Sequence, residues 1–250
     1  MGEENSEQLS EFLKETEFLD INSPAVAEFS ARAVDGAATD KEKAIRLYTA
    51  VRDGIQYDPY RIDFTRHDFK ASTIIGKGYG YCVAKAIVLA AVGRAAGIPS
   101  RLRFADVRNH LTTERLKKLM KTDLFIYHGY TEFLLDGRWL KVTPTFNSSL
   151  CERFRVKPLD FDGEHDAIFH PYDMEGRRHM EYVTDHGPCA DVPYEKIIEM
   201  FKTHYGVYIS NRTDRRPPVL SSGKRPPTGG DNRQREKSSF SPSDYGCFKA

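Results

Sequence analysis

The sequence predicts an α+β fold: N-terminal helices and one buried, cysteine-bearing helix packed on an antiparallel sheet. Three observations predict it. Thr39 and Glu42 stand at capping-box spacing ahead of Ala44, Leu47, Tyr48, Val51 and Ile55, which recur at three- and four-residue intervals. The run that opens at Cys82 carries Val83, Ala86, Ile87, Leu89, Ala90, Ala91 and Val92, apolar nearly all round, as in a helix enclosed on every side. Leu124–Leu135 and Arg138–Thr143 are extended runs joined by Asp136-Gly137, a strong type I′ hairpin signal.

In chain order, Glu4 to Phe18 reads as an amphipathic helix with Leu9, Phe12, Leu13 and Phe18 as its apolar stripe. A second helix starts near Pro24-Ala25-Val26, with Ser23 as N-cap and Pro24 at the first helical position. The capping-box helix is third. The Cys82 helix follows an aromatic and charged loop, and Gly97 and Pro99 end it. Arg101 to Val107 reads as a strand and Thr112 to Met120 as a short charged helix, then comes the hairpin. Residues 158–192, rich in Asp, His, Gly and Pro, read as a long ordered excursion or weak strands. The final helix spans about 194–205. Residues 1–210 thus form a single domain with its core at about 40–147. Residues 211–250, rich in Pro, Gly, Ser and Arg, read as a disordered basic tail.

A chain of 250 residues can bury one sizeable core. The net charge of +1 gives no overall bias toward nucleic acid or membrane, although residues 211–250 carry +5 and leave −4 for the rest. No run approaches ~20 apolar residues, so no membrane span is expected. Met1-Gly2-Glu3-Glu4 is acidic and lacks a signal core, and its partial fit to a myristoylation pattern reads as chance. Cys82, Cys151, Cys189 and Cys247 form no close pairs, which suits free thiols in the cytoplasm. The expectation is no cofactor, no nucleic-acid partner and no membrane partner.

The chemistry centres on Gly78-Tyr79-Gly80-Tyr81-Cys82. Two glycines lead a thiol to a helix N-terminus, where unpaired N–H groups and the helix dipole favour the thiolate and are placed to receive an oxyanion. On these grounds Cys82 should react quickly at mildly acidic pH. The hairpin offers a base. With a two-residue turn Leu135 faces Arg138, Glu132 faces Lys141 and His128 faces Thr145. Strand alternation then puts His128 on one face with Tyr130, Glu132, Lys141, Thr143 and, if the strand continues, Asn147. Thr143 and Asn147 are the two candidates to steady the imidazole, and an amide oxygen is the better acceptor for a ring N–H.

Gly-Tyr-Gly-Tyr-Cys at a helix start, His128 in a strand and Gly137-Arg138-Trp139-Leu140-Lys141-Val142-Thr143-Pro144-Thr145 together resemble the transglutaminase-like superfamily, with its papain-like core. Val51 to Asp58 is similar to the helix and loop that precede the cysteine in bacterial members. The resemblance covers about residues 40 to 147. It implies Cys82 as nucleophile and His128 as general base. The family's third residue, an aspartate before a proline, falls on Thr143, which supplies no negative charge. The implied activity is acyl transfer through a thioester on a protein or peptide amide, released to water or to an amine. The alternative is a catalytically weakened fold kept as a binding or scaffold module, which Thr143 favours.

A cysteine in an apolar helix is commonly a small buried hydrophobe. Threonine is a good strand former and asparagine a common turn residue. Asp162, His165, Asp166, His170, Asp173, His179, Asp185, His186 and Cys189 match no zinc spacing, so the stretch reads as a polar excursion bordering the cleft, with no metal. Aromatic residues at 57, 60, 64, 69, 79, 81, 127 and 130 suit either a ring-lined cleft or core.

Overall fold

The computed structural model describes residues 9–110, 112, 114–153, 157–169 and 180–206. The start of the first expected helix, the expected tail and His170, Asp173 and His179 lie outside the described residues.

The N-terminal expectation needs correction. Residues 9–11 are helical, but the helix does not reach Phe18. Thr16 closes a turn with Leu19 instead, its hydroxyl accepting from the Leu19 N–H at 3.1 Å, and this sinks Phe18 and Leu19 into the core. Helix α1 (Pro24–Val34) starts as expected, with the Ser23 hydroxyl accepting from Val26 N. Helix α2 (Asp40–Gly54) has both arms of its capping box at Thr39 and Glu42, and its five periodic apolar residues are buried.

Strand β1 (Gln56–Tyr57) pairs in parallel with β2 (Tyr79–Gly80), and α3 (Ala71–Lys77) lies between them in sequence. Helix α4 (Cys82–Ala95) follows directly. Strands β3 (Ser100–Asn109), β4 (Leu124–Leu135), β5 (Arg138–Val142) and β6 (Met180–Cys189) form one antiparallel sheet in the order β5-β4-β3-β6. Helices α5 (Glu114–Met120), α6 (Ser148–Arg153) and α7 (Tyr194–Tyr205) complete the described fold. The excursion thus contributes a genuine edge strand, β6.

Helix α4 is the centre. Helices α1, α2 and α3 pack on it, as do β3 and β4, and every residue from Val83 to Arg94 is buried. Each fully buried Val, Ile or Leu here contributes roughly 2 kcal/mol of apolar burial before the entropy of folding is counted. Two cations lie inside this layer. Lys85 Nζ donates to the carbonyls of Arg52 and Ile55 at 2.8 and 2.7 Å, and burial pushes its ammonium well below the usual lysine range. Arg94 spends its guanidinium on the carbonyls of Ser100, Lys14 and Ala190, tying the start of β3 and two remote segments to the helix end.

The hairpin has the expected register, from Leu135 opposite Arg138 to Thr131 opposite Val142, and Asp136 and Gly137 both have positive φ. The ladder stops there. The Thr143 N–H donates to the Ala167 carbonyl at 2.9 Å, and Pro144 has no N–H to offer. His128 and Thr145 are therefore not a ladder pair.

Candidate active site

Cys82 is the first residue of α4, and Tyr81 is the N-cap without a side-chain capping bond. The entry is tight. A Cβ on Gly80 would lie 2.6 Å from the Ala84 Cβ, so the lead-in can turn into the helix only with glycine there. The β1–β2 ladder holds this entry beside Tyr57, with the Asp58 N–H donating to the Gly80 carbonyl at 3.0 Å.

A second glycine brings the strand in. A Cβ on Gly129 would stand 2.9 Å from the Val83 Cα, so β4 runs backbone to backbone against the first turn of α4. The N–H groups of Gly129, Val83 and Cys82 are directed at the Cys82 sulfur and favour its thiolate. His128 is the next residue along β4. Cys82 and His128 line the same two adjoining cavities, together with Tyr57 and Phe125, and the larger measures about 60 Å³. Phe169 closes over the imidazole, with ring centres 6.0 Å apart.

Burial dominates the electrostatics. It pushes the Cys82 thiol up to about 11, against the pull of the three N–H groups, and the His128 imidazole down to about 4. Both shifts favour the neutral forms, a thiol beside an imidazole. Desolvation of the sulfur thus works against the helix terminus, which favours the thiolate.

The third position resolves unevenly. Asn147 is buried, and its amide is spent elsewhere. Oδ1 accepts from the Tyr57 N–H at 2.7 Å, and Nδ2 donates to the Arg52 and Ile55 carbonyls, the pair that Lys85 also reaches. The structure does not bring it to His128; it braces the end of α2 against β1. Thr143 is buried with no hydrogen-bond partner for its hydroxyl, and the same holds for Thr145 Oγ1 and His128 Nε2 among the described residues. Thr145 lines the smaller cavity with His128, as Thr143 does not.

Sequence reasoning gave Thr145 a place opposite His128 but no role, and it overlooked Phe125, Phe146 and Phe169 as cleft walls. Hairpin parity was the signal for Thr145. No signal marked Phe125, because a three-residue spacing from His128 puts the two on opposite faces of a regular strand. Of the aromatic residues singled out, Tyr57 and Tyr81 line the cleft, while Phe64 and Phe69 are core. In the excursion, His165 pairs with Asp162 and His186 with Asp106, each at 2.8 Å. No helix among the described residues is long and apolar enough to cross a membrane.

Residues 27–144, from α1 through Thr143-Pro144, match the model of the transglutaminase-like superfamily. The fold is one of mixed helices and antiparallel sheet. Among solved structures the chain is similar to a candidate cysteine protease from Cytophaga hutchinsonii, at 17% identity and a TM-score of 0.43, over 55% of this chain and 42% of that one. It is also similar to a candidate protease from Parabacteroides distasonis ATCC 8503, at 19% identity and a TM-score of 0.36, over 54% of this chain and 25% of that one. The chain therefore spans less than half the length of either. No curated protein matches it.

Proposed function

We propose that the chain is a cysteine amidase or acyl transferase acting on a protein or peptide amide. The observation that carries this reading is the meeting of Cys82, on the first turn of α4, with His128 in one cleft. Because both groups rest neutral, the proton moves as the bond forms. The Cys82 sulfur attacks the amide carbonyl carbon while its proton passes to His128 Nδ1, Nε2 being the buried nitrogen. The oxyanion is received at the helix N-terminus, with the Cys82 N–H as a donor. The imidazolium returns its proton to the departing amine as the C–N bond breaks, leaving a thioester. Water or an amine then releases the acyl group, with His128 again taking the proton.

Thr143 stands at the family's third position with a hydroxyl in place of a carboxylate, and neither that hydroxyl nor His128 Nε2 has a hydrogen-bond partner among the described residues. One observation favours a second reading, a weakened enzyme kept as a binding module: His128 Nε2 has no partner among the described residues, and the nearest replacements for a carboxylate are neutral hydroxyls. An acyl-probe and peptide-library assay separates the two, with Cys82→Ala as control. Labelling or turnover that vanishes in the variant supports the enzyme. A wild-type protein that neither labels nor turns over any member overturns it.

A further inference from the structure

Strand β4 is irregular immediately before His128. Ala105 faces His128, but Val107 faces Phe125, so Ile126 and Tyr127 together oppose Asp106 alone. This is a β-bulge, and Tyr127 takes the left-handed conformation at φ 53, an unfavourable one for a bulky residue. The bulge has a geometric effect on the cleft. Phe125 and His128 are three residues apart and would face opposite sides of a regular strand, yet both line the cleft with Cys82.

A buried carboxylate holds this bend. Asp106 Oδ1 accepts from the Tyr127 N–H at 3.0 Å, and the same oxygen lies 2.8 Å from His186 Nε2. The His186 ring stacks on the Tyr127 ring, 4.1 Å away and 9° from parallel. β6 is bulged at the same level: Ala105 faces Asp185 while Phe104 faces Gly187, leaving His186 as the extra residue. Asp106 thus replaces a missing ladder partner for one strand and anchors the bulged residue of the other.

We infer that Asp106 and His186 are positioning residues for Cys82 and His128: they hold Tyr127 in its left-handed bulge and thereby set the general base and the Phe125 wall on the same side of the sheet as the nucleophile. The inference rests on the proposed chemistry but is tested without it. Besides His186, the titratable groups facing the bulge among the described residues include Asp106, Cys189, Glu199 and Tyr205, whose hydroxyl accepts from the Ile126 N–H at 2.6 Å. Two readouts are used: the titration midpoint of the His128 ring by NMR, and the rate of Cys82 alkylation by iodoacetamide, read by peptide mass spectrometry.

In Asp106→Ala the bulge relaxes, the His128 midpoint rises from about 4 toward its ordinary 6.5, and the alkylation rate changes by roughly tenfold or more. Asp106→Asn, which keeps an acceptor for the Tyr127 N–H, restores both. Combining Asp106→Ala with Tyr127→Gly restores most of both, because glycine adopts the left-handed conformation unaided. If Asp106→Ala does not fold, His186→Phe keeps a ring on Tyr127 and removes the contact to Asp106, and it shifts both readouts in the same direction. Wild-type values in a folded Asp106→Ala or in His186→Phe, or failure of both rescues, overturn the inference. A wild-type protein inert toward amide probes overturns the proposed activity and leaves both readouts intact.

Discussion

Replacing Asn147 by alanine separates a brace from a catalytic group. The side chain makes three buried hydrogen bonds, one from the Tyr57 N–H and two to the Arg52 and Ile55 carbonyls. Both carbonyls keep Lys85 Nζ in the variant, so each loses one of two donors. The Tyr57 N–H fares worse. Its neighbours Gln56 and Asp58 donate to Gly78 and Gly80 across the β1–β2 ladder, but Tyr57 points away from that ladder toward Asn147. Losing a buried acceptor costs about 1–3 kcal/mol, and the two weakened carbonyls and the vacated volume bring the total to about 3 kcal/mol. For a domain of this size that lowers Tm by about 6–12 °C. Calorimetry reads the stability, and Cys82 alkylation across pH, well below both melting transitions, reads the site. The expected result is the full loss in Tm with an unchanged pH midpoint for alkylation. An unchanged Tm with a shifted midpoint would refute the reasoning and return Asn147 to the imidazole.

Three further outcomes are expected. The folded protein protonates His128 only near pH 4 whereas the unfolded chain does so near 6.5, so this group's contribution is fully present above about 6.5 and is lost as pH falls through 4. It amounts to about 3 kcal/mol, and denaturant midpoints should fall less steeply with acid in His128→Gln. Gly129→Ala drives a Cβ to 2.9 Å from the Val83 backbone, which cannot yield as a side-chain tip can; stability should drop by about 1–3 kcal/mol and Cys82 alkylation should change with it, whereas a wild-type melting curve and rate would show that β4 is not pressed against the helix. Thr143→Asp places a charge at the family's third position and should raise the His128 midpoint and speed alkylation near neutral pH; an unaltered profile would mean that position 143 does not reach the imidazole.

The elements that sequence revealed best are those whose signals are local. The Thr39–Glu42 capping box, the Ser23-Pro24 start, the Asp136-Gly137 turn and the all-apolar run after Cys82 each specify their structure within a few residues. Pairing Glu132 with Lys141 even fixed the hairpin register. Reasoning failed where remote partners decide. Asn147 was offered to His128 by strand alternation, but β5 ends at Val142 once Thr143 turns to Ala167, and the amide is captured by α2 and β1. The bulge at Tyr127 was invisible because its cause, Asp106, sits on another strand. The thiol's state depends on remote groups in the same way: a helix terminus can be read from one segment, whereas desolvation depends on everything packed around it.

The enclosure of α4 ties the chemistry to the cooperativity of folding. A helix covered on one side by α1, α2 and α3 and on the other by β3 and β4 cannot detach without separating both layers, so it has no local opening cheaper than loss of the whole core. Its amides belong among the slowest to exchange with solvent. Cys82 stands at the end of this enclosed rod, and any freedom a bound molecule needs must come from the walls around it. The thiol and the imidazole are expected to share one fate: they face one cleft when the domain is folded, and that arrangement should disappear with the melting transition that ends the fold.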